Sequence, residues 1–148
     1  MARILQLRKG TTQENNIFIG SEAELTYNTE TKGLIIHDGL EEHRGGFQVP
    51  VVVEQLLPTA ANNYSWYRLY SDGWIEQGGR VNNNQTGELT IDLHKQMSNE
   101  FYYKNVFADG NSSSPKPVLF VSSSSQQIKV YADASNTRIY WEAKGKKA

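Results

Sequence analysis

Short apolar runs separated by polar turn signals recur along the whole chain. Within several runs apolar and polar positions alternate, which is the two-residue period of a β-strand with one buried face. Clusters of Asn, Ser and Gly stand between the runs and predict turns or loops. A sustained 3.6-residue apolar period is missing. The pattern therefore predicts an all-β chain, in which His94–Asn99 is the one stretch that competes as a helical turn.

The pattern of apolar and polar residues changes near residue 46. The polar, glycine-terminated stretch Leu40–Gly46 predicts a hinge, with a surface loop inside one domain as the alternative. We therefore expect two domains: residues 1–46, a short β-meander module, and residues 47–148, a β-sandwich-like domain. The strand candidates of the first are Ile4–Leu7, Ile17–Ile19, Glu22–Tyr27 and Leu34–His37. After an alternating stretch at Val49–Val53, those of the second are Tyr64–Tyr70, Trp74–Arg80, Gly87–Leu93, Glu100–Ala108, Pro117–Val121, Gln126–Ala132 and Thr137–Lys144.

The segment Tyr70–Trp74 has the chemistry of a tight β-hairpin. Ser71 and Asp72 suit the centre of a type I turn, and Gly73 suits the left-handed position that follows it. Large aromatic residues crowd the two strands of this hairpin, and they have two interpretations: a platform for sugar rings, or part of the core or a subunit interface. We favour burial, because one face of the hairpin must be covered. The aromatic residues are Trp66, Tyr67, Tyr70 and Trp74.

Composition and charge narrow the function classes. The formal net charge is −1 and no basic stripe is present, so we expect no nucleic-acid binding. The absence of cysteine excludes disulfides and thiolate metal sites. We also expect no membrane insertion and no signal peptide, since no apolar window reaches the required length. Because only 38% of the residues are hydrophobic, burial at a subunit interface would help a domain of this size, and we expect an oligomer.

Catalytic motifs are not evident. His37, His43 and His94 share no metal-ligand spacing, and neither a nucleophile elbow nor a phosphate loop occurs. Asp72 and Glu76 are the natural carboxylate pair for glycoside hydrolysis, but a hairpin tip offers no walls to shift a pKa or exclude water. Residues 109–113 carry oxygen ligands without the distal glutamate of a calcium loop. We therefore predict no enzyme, no metal and no cofactor.

Two parts of the chain resemble bacteriophage modules. The hairpin stretch Trp66–Gly79 resembles a signature near the C-terminal ends of phage tail-fibre proteins. In those proteins a last strand of the form aromatic-Trp-Glu-Ala-aliphatic-Gly follows, and Ile139–Gly145 resembles it here. The N-terminal block resembles the N-terminal domain of phage major tropism determinant and fibre proteins. That second resemblance lies in Leu5–Thr12, Gly20–Leu25, Asn28–Lys32 and Leu34–Gly39.

The resemblance implies a homotrimeric virion fibre, assembled in the bacterial host cytoplasm, with residues 1–46 serving attachment and trimerisation. It implies a tail fibre or spike tip that binds a host surface glycan or protein without catalysis. The alternative is a structural virion component, such as a head fibre, adaptor or collar protein, that contacts other virion proteins. Candidate receptor-binding residues in turns and polar loops are Asp72, Asn83, Asn84, Asn111, Ser112, Ser123 and Gln126. Candidate trimer-interface residues are Leu5, Leu7, Ile35 and Ile36.

Overall fold

The computed structural model describes residues 7–109, 117–133 and 138–148. The predicted all-β class is confirmed. The chain divides into two compact units, Met1–Val53 with Tyr70–Asp72, and Glu54–Leu69 with Gly73–Ala148. The predicted division at residue 46 stays a prediction; Phe47–Val49 forms a strand in the sheet of the first unit. Among the predicted site residues, Leu5, Asn111 and Ser112 lie outside the described residues.

The first unit is built on a four-stranded sheet in the order β1-β2-β3-β4. Strands β2, β3 and β4 form the predicted antiparallel meander, while β1 pairs parallel to β2. The helix α1 connects β1 to β2, and Glu14 and the Thr11 hydroxyl close a capping box at its start. The elements are β1 (Arg8–Gly10), α1 (Thr12–Ile17), β2 (Leu25–Asn28), β3 (Leu34–Ile36) and β4 (Phe47–Val49).

The helix corrects one sequence expectation. The apolar run Ile17–Ile19 was expected to be a strand, but Ile17 ends α1 and Phe18 caps it in an extended conformation. The capping hydrogen bonds of Thr11 and Glu14 satisfy backbone donors locally, and this stabilises a helical turn where apolar content alone suggested a strand. The competing helical turn at residues 94–99 does not form; Met97 makes an isolated bridge to Lys147 instead.

The second unit contains two antiparallel sheets, in the orders β5-β6-β7-β12-β9 and β10-β11-β8. The motif strands β7 and β12 are hydrogen-bonded neighbours, with Trp141 opposite Gly79 and Gly145 opposite Ile75. Within the two stretches that resemble phage fibre sequences, residues 75–79 therefore pair with residues 141–145. The strands are β5 (Val52–Leu56), β6 (Trp66–Tyr70), β7 (Trp74–Asn82), β8 (Gly87–Asp92), β9 (Tyr103–Asp109), β10 (Leu119–Ser123), β11 (Gln127–Ala132) and β12 (Arg138–Lys146).

One apolar cluster lies between these two sheets, as the sandwich prediction requires. Alternation along β12 directs Ile139, Trp141 and Ala143 into it, and the intervening residues face outward. The fully buried Gln77 lies among these apolar side chains and bonds the backbone of Lys95. The buried residues of the cluster are Leu69, Ile75, Ile91, Met97, Tyr102, Ile128, Val130, Ala132, Ile139, Trp141 and Ala143.

Candidate functional site

Two predicted receptor-binding residues lie at the β10–β11 turn. Gln126 is exposed, and its side-chain amide donates to Gln96 Oε1 over 3.2 Å. Ser123 is half-buried, and its hydroxyl accepts from Lys104 Nζ at 2.6 Å. Ser124 holds the turn through its hydroxyl, which accepts from the backbone N–H groups of Gln126 and Gln127. This turn presents the Gln126 amide to solvent, while Ser123 is engaged in the fold.

The β7–β8 loop separates two adjacent asparagines into different environments. Asn84 is exposed, whereas only 7% of Asn83 is exposed. The amide of Asn83 donates to the carbonyl of Asp133 at 3.0 Å and so ties two loops together. The β7–β8 loop and the β10–β11 turn lie at opposite ends of the paired strands β8 and β11. Gly87, which follows the loop, is opposite Ala132, whereas Gln127, which follows the turn, is opposite Asp92. Asn83 therefore serves the fold, and Asn84 stays a candidate contact residue.

The predicted hairpin turn is present, and Asp72 is exposed in it. Gly73 has φ +80° and open space around the position of a Cβ, as expected for the left-handed residue of the turn. The hairpin aromatics, however, are not in the core cluster, whose members from these strands are Leu69 and Ile75. Of the alternatives left open by the sequence, the core is excluded for these side chains, and the interface and sugar-contact alternatives stay open. The aromatics are half-buried at Trp66, Tyr67 and Tyr70, and 37% exposed at Trp74.

Tyr67 belongs to a small polar cluster at the side of the second unit. Its hydroxyl donates to Glu54 Oε1 at 2.7 Å, and Lys95 Nζ lies 2.6 Å from the same oxygen. The Lys95 ammonium also lies 4.8 Å from the Tyr67 ring centroid. Hydrogen bonding from Lys95, and then from Tyr67, lowers the pKa of the Glu54 carboxyl. The Tyr67 hydroxyl, the Glu54 carboxylate and the Lys95 ammonium are thus partners of one another. The cluster is a surface ion pair and offers no free nucleophile for catalysis.

The outward face of the five-stranded sheet carries an aromatic groove. Gly78 makes room for the Trp66 indole, which lines the groove, because a Cβ at Gly78 would lie 2.8 Å from Trp66 Nε1 and 2.7 Å from the carbonyl oxygen of Trp141. The neighbouring rings of Phe107 and Tyr140 stack with centroids 5.2 Å apart and an interplanar angle of 11°. The groove has a volume of about 400 Å³. Its lining residues are Pro58, Tyr64, Trp66, Gly79, Phe107, Tyr140, Trp141 and Glu142.

Strand register assembles this groove from distant parts of the chain. Trp66 is opposite Gly78, Gly78 opposite Glu142, and Glu142 opposite Asn105. The groove also has charged borders. Glu142 Oε1 lies 2.9 Å from Lys144 Nζ, and this contact raises the pKa of the Lys144 ammonium. Sequence reasoning found Trp66 but missed the opposite wall, because one sequence does not reveal which strands become neighbours.

Arg80 lies beside the groove, next to Tyr64, which lines it. Its guanidinium carbon lies 4.8 Å from the Tyr64 ring centroid. In the sheet Arg80 is opposite Tyr140, so it shares the outward face with the groove. Arg80 Nε is buried and has no hydrogen-bond partner among the described residues. The groove thus joins aromatic walls to a carboxylate and lies beside a guanidinium.

The first unit reverses the usual distribution of polar and apolar residues. Its interior holds a hydrogen-bonded network in which the Thr26 hydroxyl contacts Asn15 Oδ1 at 3.1 Å and His37 Nε2 at 3.0 Å. All three side chains are at least 95% buried. In contrast, Leu25, Ile36 and Phe47 form a cross-strand row on β2, β3 and β4. They are 39%, 42% and 53% exposed, respectively.

The predicted interface residues divide across this unit. Ile36 is in the exposed apolar row, and Leu7 is half-buried. Ile35 points the other way and is 4% exposed, because successive residues of a strand face opposite sides. Ile35 therefore packs inside its own unit. The exposed apolar row also contains Leu25 and Phe47, which are not among the interface residues predicted from the sequence.

Neither a metal site nor a membrane-spanning helix is found in the part of the chain that the structure describes. No group of three or more His, Asp or Glu side chains there is arranged to hold a metal ion. Within the same residues, no helix has the length and apolar character needed to cross a bilayer. His37 contacts Thr26 in the interior, and His43 contacts the Asp38 carboxylate.

Comparison with known proteins supports the class that the sequence suggested. Residues 5–40 match the family model of the major tropism determinant N-terminal domain, so the predicted resemblance of the N-terminal block is confirmed. The likeness covers residues 5–40 and is therefore a likeness of this N-terminal module. A comparison with curated protein sequences finds no match.

Two solved structures show a weak likeness to the chain, each at 16% identity and a TM-score of 0.45. One is an N-truncated R2-type pyocin tail fibre, matched over 65% of this chain and 39% of that chain. The other is a C-terminal fragment of the R2 pyocin fibre of P. aeruginosa, matched over 72% of this chain and 32% of that chain. The chain thus spans about two fifths or less of the fibre chains it matches.

Proposed function

We propose that the chain is a subunit of a homotrimeric phage fibre that attaches the virion to a host cell surface without catalysis. The observation that carries the proposal is the order of modules. A major tropism determinant N-terminal domain at residues 5–40 precedes a β-sandwich with polar loops and an aromatic outer face. Loops on a rigid β-scaffold are common positions for binding residues. Assembly in the host cytoplasm and joining to other virion proteins belong to the same proposal.

The distribution of apolar residues in the first unit supports a homotrimer. Within its described residues, Ile35 is the single residue of the buried hydrophobic set, while Leu25, Ile36 and Phe47 face outward in one row. A contiguous apolar surface is typical of an interaction site. A second copy supplies the same row, and closed symmetry buries it in every subunit. We therefore propose Leu25, Ile36 and Phe47 as subunit contacts, with Leu7 at their margin.

Substitution of the row tests the trimer. In sedimentation or light scattering, we expect the wild-type protein to have the mass of three chains. Ile36→Asp places a charge in the proposed contact and should shift the mass toward one chain. Gln13→Asp is the matched control, because Gln13 is exposed on α1 and makes no proposed contact. Ile35 is unsuitable, since a charge at that buried position would unfold the unit itself.

A wild-type monomer would exclude the trimer. A trimer that persists in Ile36→Asp, with the circular dichroism spectrum unchanged, would exclude this interface. Loss of the folded circular dichroism spectrum in Ile36→Asp, but not in Gln13→Asp, would also contradict the assignment of Ile36 as an exposed contact residue. The Ile36 side chain would then be part of the interior of the unit.

Cell binding tests the attachment function. Labelled protein should sediment with intact cells of the host strain and compete with phage adsorption. The exposed candidates Asp72, Asn84 and Gln126, changed together to Ala, should reduce cell binding; Asn83 is left unchanged because it supports the fold. Exposed Gln85→Ala, in the same loop as Asn84, serves as the control. Absence of wild-type binding to any phage-sensitive strain would refute the proposal.

A structural virion role is the second candidate function. The exposed apolar row of the first unit could be covered by another virion protein as well as by a second copy. Binding to purified capsid or tail proteins, together with no binding to cells, would favour a head fibre, adaptor or collar protein.

A further inference from the structure

We infer that the groove on the outward face of the five-stranded sheet binds a pyranose ring of a neutral saccharide. This inference rests on the proposed attachment function and names the ligand class for one surface. The polar loops predicted from sequence do not include this groove. Its walls are Tyr64 and Trp66 on one side and Phe107 and Tyr140 on the other.

The exposure of the walls points to a ligand. Phe107 is 54% exposed and Tyr64 is 45% exposed, while Trp66 and Tyr140 are half-buried. Exposed aromatic surface rimmed by polar groups is typical of a binding groove. Gly78 permits the position of the Trp66 indole in the groove, because a side chain at Gly78 would collide with that indole. A volume of about 400 Å³ is within the range of small-ligand sites, roughly 300–1,000 Å³.

The chemistry of the walls matches a sugar better than a purely apolar ligand. A pyranose has a C–H face that packs on an aromatic ring and a rim of hydroxyl groups that need donors and acceptors. Glu142 supplies carboxylate oxygens at the groove, and Arg80 lies against the Tyr64 wall. The Glu142 charge is already paired with Lys144 at 2.9 Å, so the groove has no large excess of one sign. That balance favours a neutral sugar over a strongly anionic one.

Saturation-transfer NMR on the whole protein tests the inference with defined probes. The probes are methyl glycosides of glucose, galactose, mannose, rhamnose and N-acetylglucosamine, with sorbitol as a polyol that lacks a ring face. We expect at least one glycoside to bind saturably and sorbitol not to bind. Phe107→Ala should weaken that binding about threefold to tenfold, the factor expected from one aromatic contact. Glu142→Gln should weaken it as well, through the lost charged acceptor.

Tyr131→Ala is the matched control, because Tyr131 is 43% exposed on the other sheet of the same unit. It should bind the glycoside as the wild type does. Saturable binding by none of the glycosides, or binding unchanged in both groove variants, would overturn the inference. If a second copy fills the groove instead, Phe107→Ala would change the solution mass and the wild type would bind no glycoside, which also overturns it.

Cell binding separates this inference from the attachment proposal. If the wild type and Phe107→Ala bind host cells equally and neither binds a glycoside, the proposed attachment function belongs to another surface. A protein that binds a glycoside in the groove but no phage-sensitive cells retains a saccharide site and lacks the proposed function. Loss of both glycoside and cell binding in Phe107→Ala, with Tyr131→Ala unaffected, is the result that supports both.

Discussion

Gln77 is a buried polar side chain that holds a distant loop segment against the sandwich. Its amide donates to the Lys95 carbonyl at 2.8 Å, and its Oε1 accepts from the Lys95 backbone N–H at 2.9 Å. The side chain has no exposed surface. Gln77→Leu keeps a similar volume and removes both hydrogen bonds. We therefore expect the variant to lose the anchor of the segment that leads from β8 to Met97.

The magnitude follows from the two backbone groups that lose their partner. An unsatisfied buried polar group costs about 1–3 kcal/mol. Because Lys95 is half-buried, water can reach part of this region, and we take the lower half of that range for each group. The expected loss for the two groups is then roughly 2–4 kcal/mol of unfolding free energy. For a chain of this size, that corresponds to a fall of about 6–13 °C in Tm.

Urea unfolding and amide hydrogen exchange measure this loss. Both proteins are compared at one concentration, since the stability of an oligomer depends on it. Gln85→Leu is the control, because Gln85 is exposed and should change stability by about 0.5 kcal/mol or less. The Lys95 amide should lose protection in Gln77→Leu before the strand amides do. Equal urea midpoints for Gln77→Leu and the wild type, with the Lys95 amide still protected, would refute the reasoning.

Two further predictions concern the glycines of the hairpin and the alkaline stability of the second unit. Gly78→Ala should destabilise by about 1–3 kcal/mol through overpacking against Trp66 and Trp141, while Gly73→Ala should cost about 1–2 kcal/mol through its left-handed backbone alone. Thermal melts of the two variants check these stability losses, and we expect altered Trp fluorescence only in Gly78→Ala. Unchanged stability and fluorescence in Gly78→Ala would contradict the contact between Gly78 and the Trp66 indole. Burial raises the pKa of Tyr102 from 10.0 to about 12. The unfolded chain therefore loses this proton first, so stability is full below pH 10 and falls as pH rises toward 12. Tyr102→Phe should reduce that fall in urea titrations between these two pH values, and an identical pH dependence in both proteins would contradict it.

Local chemistry explains why the hairpin was predictable from sequence. Ser71, Asp72 and Gly73 specify the turn by themselves, and the alternation on either side assigns each strand's faces. The same kind of local signal was present for α1, since Thr11 and Glu14 have the spacing of a capping box. The apolar run at Ile17–Ile19 outweighed it in the prediction. The hydrogen bonds of the capping box therefore decide the local structure here, and the short apolar run follows it.

Long-range contacts explain what the sequence did not reveal. Asn83 lies in an asparagine-rich loop, yet its amide bonds to Asp133 across the fold and is buried. The aromatic groove depends on β7 and β9 both flanking β12, which brings Trp66, Phe107 and Tyr140 to one face. Strand order of this kind is not written in the spacing of any one segment. The buried polar network around Thr26 was likewise unforeseen, because each member alone resembles a surface residue.

We propose that the chain attaches a virion to its host cell, and binding of the purified protein to intact cells is the direct test. Purified wild-type protein is titrated onto intact cells of a phage-sensitive strain and of a resistant mutant of that strain, and bound protein is counted by fluorescence. We expect saturable binding to the sensitive cells, competition with phage adsorption, and a large loss of binding on the resistant cells. Equal binding to both strains, or none to either while the protein binds purified capsid or tail components, would contradict it.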